Sequence, residues 1–144
     1  MPTTDFASEE IREAAQGNAT GFALGTIAYL KQRGLPVEAW PALLGRVFSA
    51  WWDQLPQKDL AMIARVAALQ TVSLGATVQS ITADETRAEV VITAWPPQDS
   101  LAAFGLSQAD ADVVWQTFAP IALRLGLRFA MRRDGEDMRL TFSQ

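Results

Sequence analysis

Apolar positions in the first half of the chain recur at helical spacing. Ser8 to Gln16 reads as a short polar opening helix that ends at Gly17-Asn18. Phe22 to Arg33 reads as a second helix, with Leu24, Ile27, Ala28 and Leu30 on one side and Gly34 as its left-handed stop. Pro36 suits a first turn, whereas Pro41 is awkward inside a helix. The pattern therefore predicts a turn over Pro36 to Trp40 and a new helix from Pro41, with Leu44, Val47, Phe48, Trp51 and Leu55 as its apolar stripe and Pro56 as its end. Asp59 to Leu74 is a further helix, carrying Leu60, Ile63, Ala67 and Leu74 on one side and stopped by Gly75.

After Gly75 the period changes from 3.6 to 2. Ala76 to Thr82 and Arg87 to Trp95 alternate around an Asp84-Glu85-Thr86 loop. Pairing Val78 with Ile92 and Ser80 with Val90 puts Ala76, Val78, Ala88, Val90, Ile92 and Ala94 on one face. Pro96-Pro97 breaks the strand, Gln98 to Phe104 forms a short helix closed by Gly105, and Ser107 with Asp110 resembles a capping box. The helix that follows carries Val114, Trp115, Phe118, Ala122 and Leu125, with a kink expected at Pro120. Asp134-Gly135 is a type I′ hairpin signal. That turn places Arg133 opposite Glu136, Met131 opposite Met138, Phe129 opposite Leu140 and Leu127 opposite Phe142. The expected fold is α+β: a helical N-terminal half packed on an antiparallel sheet of two hairpins with intervening helices, as one domain over residues 1–144.

Composition narrows the chemistry. The chain has no Cys and no His, which excludes disulfides, thiolate nucleophiles, Ser-His-Asp triads and His- or Cys-ligated metals. No acidic spacing suggests an oxygen-ligated cation, so no metal and no cofactor are expected. The net charge of −4 argues against a nucleic-acid surface. The opening Met1 to Gln16 is acidic without an apolar run, so neither a signal peptide nor a transit peptide is expected. The most apolar stretch, Phe22 to Leu30, falls short of a membrane span. A cytoplasmic protein without nucleic-acid or membrane partners is the resulting expectation.

Five tryptophans set the search for a site. Trp51 and Trp115 fall on core stripes. Adjacent helix positions point about 100° apart, so Trp52 is expected to face a second apolar body: a pocket, another helix, or the partner in a homodimer. Trp95 is expected on the strand face opposite Val90 and Ile92. Trp52 and Trp95 are therefore the candidate ligand-lining residues. Arg128, Arg132 and Arg139 share the sheet face opposite Phe129 and Leu140. Arg128 and Arg132 can fork onto an acidic ligand there, or stand as a solvated face with Asp137 opposite Arg132. Asp53, beside Trp52, is the carboxylate whose pKa burial would raise. Asp110 and Asp112 are explained by the helix macrodipole.

From Gly75 onward, about half the chain, the layout resembles the L-2-amino-thiazoline-4-carboxylic acid hydrolase-like family and, more distantly, vinyl-reductase-type small-ligand-binding domains. The resemblance rests on the strands Val78 to Ile81 and Ala88 to Ala94, the latter ending at Trp95-Pro96, then on Gly105-Leu106, Gly126-Leu127-Arg128-Phe129 and the closing strand Met138 to Phe142. Family members tend to carry Cys before that proline and near Leu140, and this chain has neither. The resemblance therefore implies helices over an antiparallel sheet with a small-molecule cavity between them, and no transferable catalytic residue. The expected function is non-enzymatic binding of an apolar or aromatic, carboxylate-bearing ligand between helices and sheet. The alternatives are a structural homodimeric domain, joined through Trp52 or a sheet edge, and a carboxylate-dependent hydrolase or isomerase using Asp53 or another carboxylate.

Overall fold

The computed structural model describes residues 4–144. Residues 1–3, which open the acidic segment and the expected 1–144 domain, lie outside the described residues. Three helices come first: α1 (Ser8–Gln32), α2 (Ala39–Trp52) and α3 (Leu60–Ser73). A hairpin of β1 (Thr77–Ala83) and β2 (Arg87–Thr93) leads into α4 (Gln98–Phe104). A continuous helical segment follows, made of α5 (Gln108–Asp112), a 3-10 turn (Val113–Thr117) and α6 (Phe118–Arg124). The hairpin of β3 (Arg128–Asp134) and β4 (Asp137–Ser143) closes the chain. The four strands form one antiparallel sheet in the order β1-β2-β4-β3, so the fold is α+β with a helical first half.

α1 runs unbroken through Gly17-Asn18, where a stop was expected. A glycine inside a helix costs about 1 kcal/mol, but side chains on both sides of this one are anchored. Gln16 Nε2 donates to Val72 O (2.8 Å) and Thr20 Oγ1 donates to Leu74 O (2.8 Å). These bonds also satisfy carbonyls at the end of α3, whose start is capped by Asp59 accepting from Met62 N–H. Further along, Pro120 lies in the first turn of α6, and the turn before it is 3-10 rather than α. Proline supplies no N–H, and the segment is 3-10 from Val113 to Thr117 before α6 begins.

Both hairpins change register; the second keeps its predicted apolar face, and the first keeps it on β2 through Ala88, Val90 and Ile92. In the first, Val78 pairs Ile92, but Ser80 pairs Val91 rather than Val90, because a bulge falls between Val78 and Ser80. In the second, Asp134 pairs Asp137 and the loop is Gly135-Glu136, not Asp134-Gly135. A type I′ turn needs positive φ at both loop positions. Here Gly135 has φ +61° and Glu136 is not left-handed, which is the glycine-first pattern of a type II′ turn. The pairing moves by two positions, so parity survives: Phe129 now faces Phe142 and Met131 faces Leu140. Arg133 joins the apolar face opposite Met138, and Arg132 stands opposite Arg139, so Asp137 is not its partner.

The helix-facing side of the sheet packs Val90, Ile92, Met138, Leu140 and Phe142 under the helices, with Phe118, Phe129 and Phe142 as a ring cluster at 5.3–5.9 Å. Arg133 forks onto buried Asp112, Nε to Oδ2 at 2.6 Å and Nη2 to Oδ1 at 2.7 Å, and so ties the β3–β4 hairpin to α5.

α2 packs in a way its stripe did not predict. Its buried positions are Pro41, Gly45, Ser49 and Trp52. A Cβ on Gly45 would collide with Pro120 Cγ and the Thr117 carbonyl oxygen, with Pro120 Cδ also at 3.0 Å. The small residues thus form the packing face, and the helix meets the 3-10 turn and α6 almost backbone to backbone. Gly17, by contrast, has open space around it. Gly17→Ala is expected to stabilise the protein by up to about 1 kcal/mol through helix propensity. Gly45→Ala is expected to destabilise it by about 1–3 kcal/mol despite the same propensity gain. Urea unfolding of both variants checks this, and a stabilised Gly45→Ala protein would contradict the close contact.

Candidate functional site

Because α2 turns its small residues toward the 3-10 turn, its large apolar ones face elsewhere. Trp40, Leu44, Phe48 and Trp51 form one wall of a cleft of about 590 Å³, a size suited to a small molecule. Phe48 and Trp51 stack at 5.0 Å and 26°, which stiffens this wall. The opposite wall is α1, through Ala19, Phe22, Ala23 and Thr26. α3 contributes Val66, Gln70 and Ser73, and the floor is Val114, Trp115, Thr117, Phe118 and Ile121. Every lining residue comes from the helical part of the chain or its loops. The cleft therefore lies among helices, not between helices and sheet as expected.

Among the described residues, no Asp, Glu, Lys or Arg lines the cleft. Its hydroxyl groups donate within their own helical turns: Thr26 Oγ1 to Phe22 O (2.7 Å), Ser73 Oγ to Gln70 O (2.6 Å) and Thr117 Oγ1 to Val114 O (2.7 Å). The Trp115 indole N–H is closed off from the surface and has no acceptor. Phe22 (76% exposed) and Trp51 (65%) stand at the mouth. Among the described residues no cluster of three or more acidic side chains can hold a metal ion. Among the same residues no helix is long and apolar enough to cross a membrane.

The four sequence candidates are scattered. Trp52 is buried, in T-shaped contact with Phe118 at 6.1 Å, and contributes to the cleft wall. Trp51, expected in the core, is the exposed one of the pair. Trp95 lies in the core rather than on the outer sheet face. Ala94, at φ +61°, ends the strand alternation, and the indole then stacks edge-on against Trp115 at 5.0 Å and donates to Thr20 Oγ1 (3.1 Å). Arg128 and Arg132 project from the outer face of β3 and are exposed, on the side of the sheet away from the helices. They cannot anchor a ligand in the cleft. The neighbouring Arg139 bridges Glu89 (3.0 Å) and Asp134 (3.6 Å).

Sequence reading missed Phe22, Trp40, Phe48 and Trp51 as cleft residues. The signal was present in α2, where Leu43, Leu44, Val47, Phe48, Trp51 and Trp52 cover more of the helix than one core stripe requires.

Two surface carboxylates hold the cleft walls to the segment beneath them. Arg124 Nε donates to Asp53 Oδ2 (2.7 Å), tying the end of α2 to α6, and Lys31 Nζ donates to Asp110 Oδ2 (2.8 Å), tying the end of α1 to α5. The hydrogen bond from Arg124 holds the Asp53 carboxyl below its ordinary pKa, which reverses the raised value expected beside a tryptophan. The Lys31 ammonium, with the Ser107 backbone N–H, does the same for Asp110. Since folding lowers both pKa values, the stabilisation is complete above the unfolded carboxylate pKa near about 4 and is lost as pH falls through the folded values.

No protein-family model and no curated protein matches the chain.

The pH dependence is checkable by thermal melts between pH 7 and pH 2. Asp53→Asn and Asp110→Asn are each expected to flatten part of the acid-side fall in Tm. An unchanged acid limb in the double variant would contradict the two ties.

Proposed function

We propose that this protein is a small-molecule-binding domain that holds an apolar or aromatic ligand in the inter-helical cleft by non-covalent contact. The observation that carries the reading is the lining itself: seven aromatic side chains among nineteen residues, with no ionisable group, around 590 Å³. Large aromatics ordinarily fill a core. Here Phe22 and Trp51 stand exposed at the rim of an apolar hollow, a disposition that serves a ligand better than it serves folding. Burying about 150–200 Å² of an aromatic molecule contributes about 4–5 kcal/mol before association costs. Before those costs the apolar term corresponds to about millimolar affinity, so alone it supports weak binding at most. The resemblance of the second half to small-ligand-binding domains does not carry this reading, because fourteen of the nineteen lining residues precede Gly75. A cytoplasmic setting without nucleic-acid or membrane partners is part of the same proposal.

The hydrolase alternative gains no support from the cleft, since Asp53 is paired with Arg124 outside its lining and no other carboxylate is among the lining residues. Homodimerisation keeps one supporting observation. Leu43, Val47 and Trp51 form an exposed stripe at i, i+4, i+8 on α2. The contact then runs through Trp51, and not through buried Trp52.

The ligand reading is tested with the neutral dye N-phenyl-1-naphthylamine, whose emission rises when it leaves water. Saturable enhancement is expected with the intact protein. Ala19→Trp, which plugs the cleft from the α1 wall, is expected to weaken binding about tenfold or more, the equivalent of ~1.4 kcal/mol. Arg128→Ala and Arg132→Ala are expected to leave binding unchanged. Undiminished dye binding by Ala19→Trp would place the site elsewhere.

A further inference from the structure

Resting on the cleft as the binding site, we infer that it selects uncharged aromatic molecules bearing a hydroxyl group, phenols and hydroxylated fused rings, and turns away carboxylates. The exclusion follows from the lining. A carboxylate entering this cleft gives up water and meets no Lys or Arg, because none is among the lining residues. An ion stripped of water without a partner is strongly disfavoured.

The selection follows from where the hydroxyl protons of the cleft point. Thr26, Ser73 and Thr117 each direct their proton onto a carbonyl of their own helical turn. A hydroxyl has one proton and two acceptor positions. What remains on these three side chains for a ligand is therefore lone pairs. They belong to three different elements of the lining, α1, α3 and the 3-10 floor. A ligand that donates is matched to them, whereas a ligand that only accepts is not. The Gln70 amide, also on the lining, can donate to the same ligand oxygen. A hydroxyl group both donates and accepts, so it satisfies both kinds of neighbour, and the aromatic walls take the ring that carries it.

The test uses four probes of one shape: 2-naphthol, 2-methoxynaphthalene, 2-methylnaphthalene and 2-naphthoate, each displacing N-phenyl-1-naphthylamine at pH 7. 2-Naphthol is expected to bind about three- to tenfold more tightly than 2-methylnaphthalene, the range of one net hydrogen bond. 2-Methoxynaphthalene, which accepts from Gln70 but has no proton for the three hydroxyl oxygens, is expected to bind less tightly than 2-naphthol, and 2-naphthoate to be the weakest. Thr26→Val and Thr117→Val replace a hydroxyl by a methyl of the same shape. One or both should reduce the naphthol advantage to less than about twofold while leaving 2-methylnaphthalene unaffected. The ranking in the unmodified protein stands even where a variant fails to fold. Binding of 2-methylnaphthalene without preference for 2-naphthol, or binding of 2-naphthoate as tight as 2-naphthol, overturns this inference and leaves the cleft reading intact. Failure of all four probes to displace the dye overturns both.

Discussion

The contact of Gly45 with Thr117 and Pro120 is the constraint from which the rest of the arrangement follows. α2 lies so close to the 3-10 turn and α6 that no side chain fits between them at that point. A helix seated on its small residues must aim its large ones away from the seat. For α2 those are Trp40, Leu44, Phe48 and Trp51, and the space they face, bounded by α1 and α3, becomes the cleft. Had the large apolar stripe formed the packing face, the same residues would have filled a core and left no hollow.

The segment from Gln108 to Arg124 acts as the hub of this geometry. α1 is tied to it through Lys31 and Asp110, α2 through the Gly45 contact and the Asp53–Arg124 pair, and the sheet through the Asp112–Arg133 fork. Asp112 is also held by Gln108 Nε2 (2.9 Å), which reaches the Trp95 carbonyl (3.1 Å), so the fork continues into the chain leaving β2. The bond across Asp112 is the buried one, with only 8% of that side chain exposed, and it is the connection least screened by solvent. The floor of the cleft belongs to the same segment. The α1 and α2 walls are thus tied to the segment that forms the floor, which suits a preformed site rather than one assembled on binding.

Most of the fold was legible because period and punctuation agree along most of the chain. The change of period at Gly75, the stop at Gly105, the capping box at Ser107 and the shared apolar face of the last hairpin all translate into structure. The errors have specific physical sources. The glycine-first turn at Gly135 shifts its register by two positions and keeps the faces, because parity tolerates an even displacement. The bulge beside Val78 instead shifts the first hairpin by one and puts Ile81, not Ser80, on the side of Val90. The helix through Gly17 depends on bonds from Gln16 and Thr20 to residues more than fifty positions away, which no local pattern contains. The site was harder to read. Hydrophobic periodicity identifies apolar faces but does not say which one meets protein and which meets an opening. In α2 the small residues Gly45 and Ser49 decided that question. Trp95 was misplaced because a single left-handed residue, Ala94, ends the alternation on which its face was assigned.

The most direct measurement of the central claim is intermolecular NOE contacts between N-phenyl-1-naphthylamine and methyl-labelled protein. Contacts from the dye to the methyl groups of Leu44, Val66, Val114 and Ile121, which belong to α2, α3 and the floor, are expected together in one complex. Contacts confined to Met131, Leu140 or other sheet residues, or to the outer stripe of Leu43 and Val47 alone, would contradict the cleft as the site.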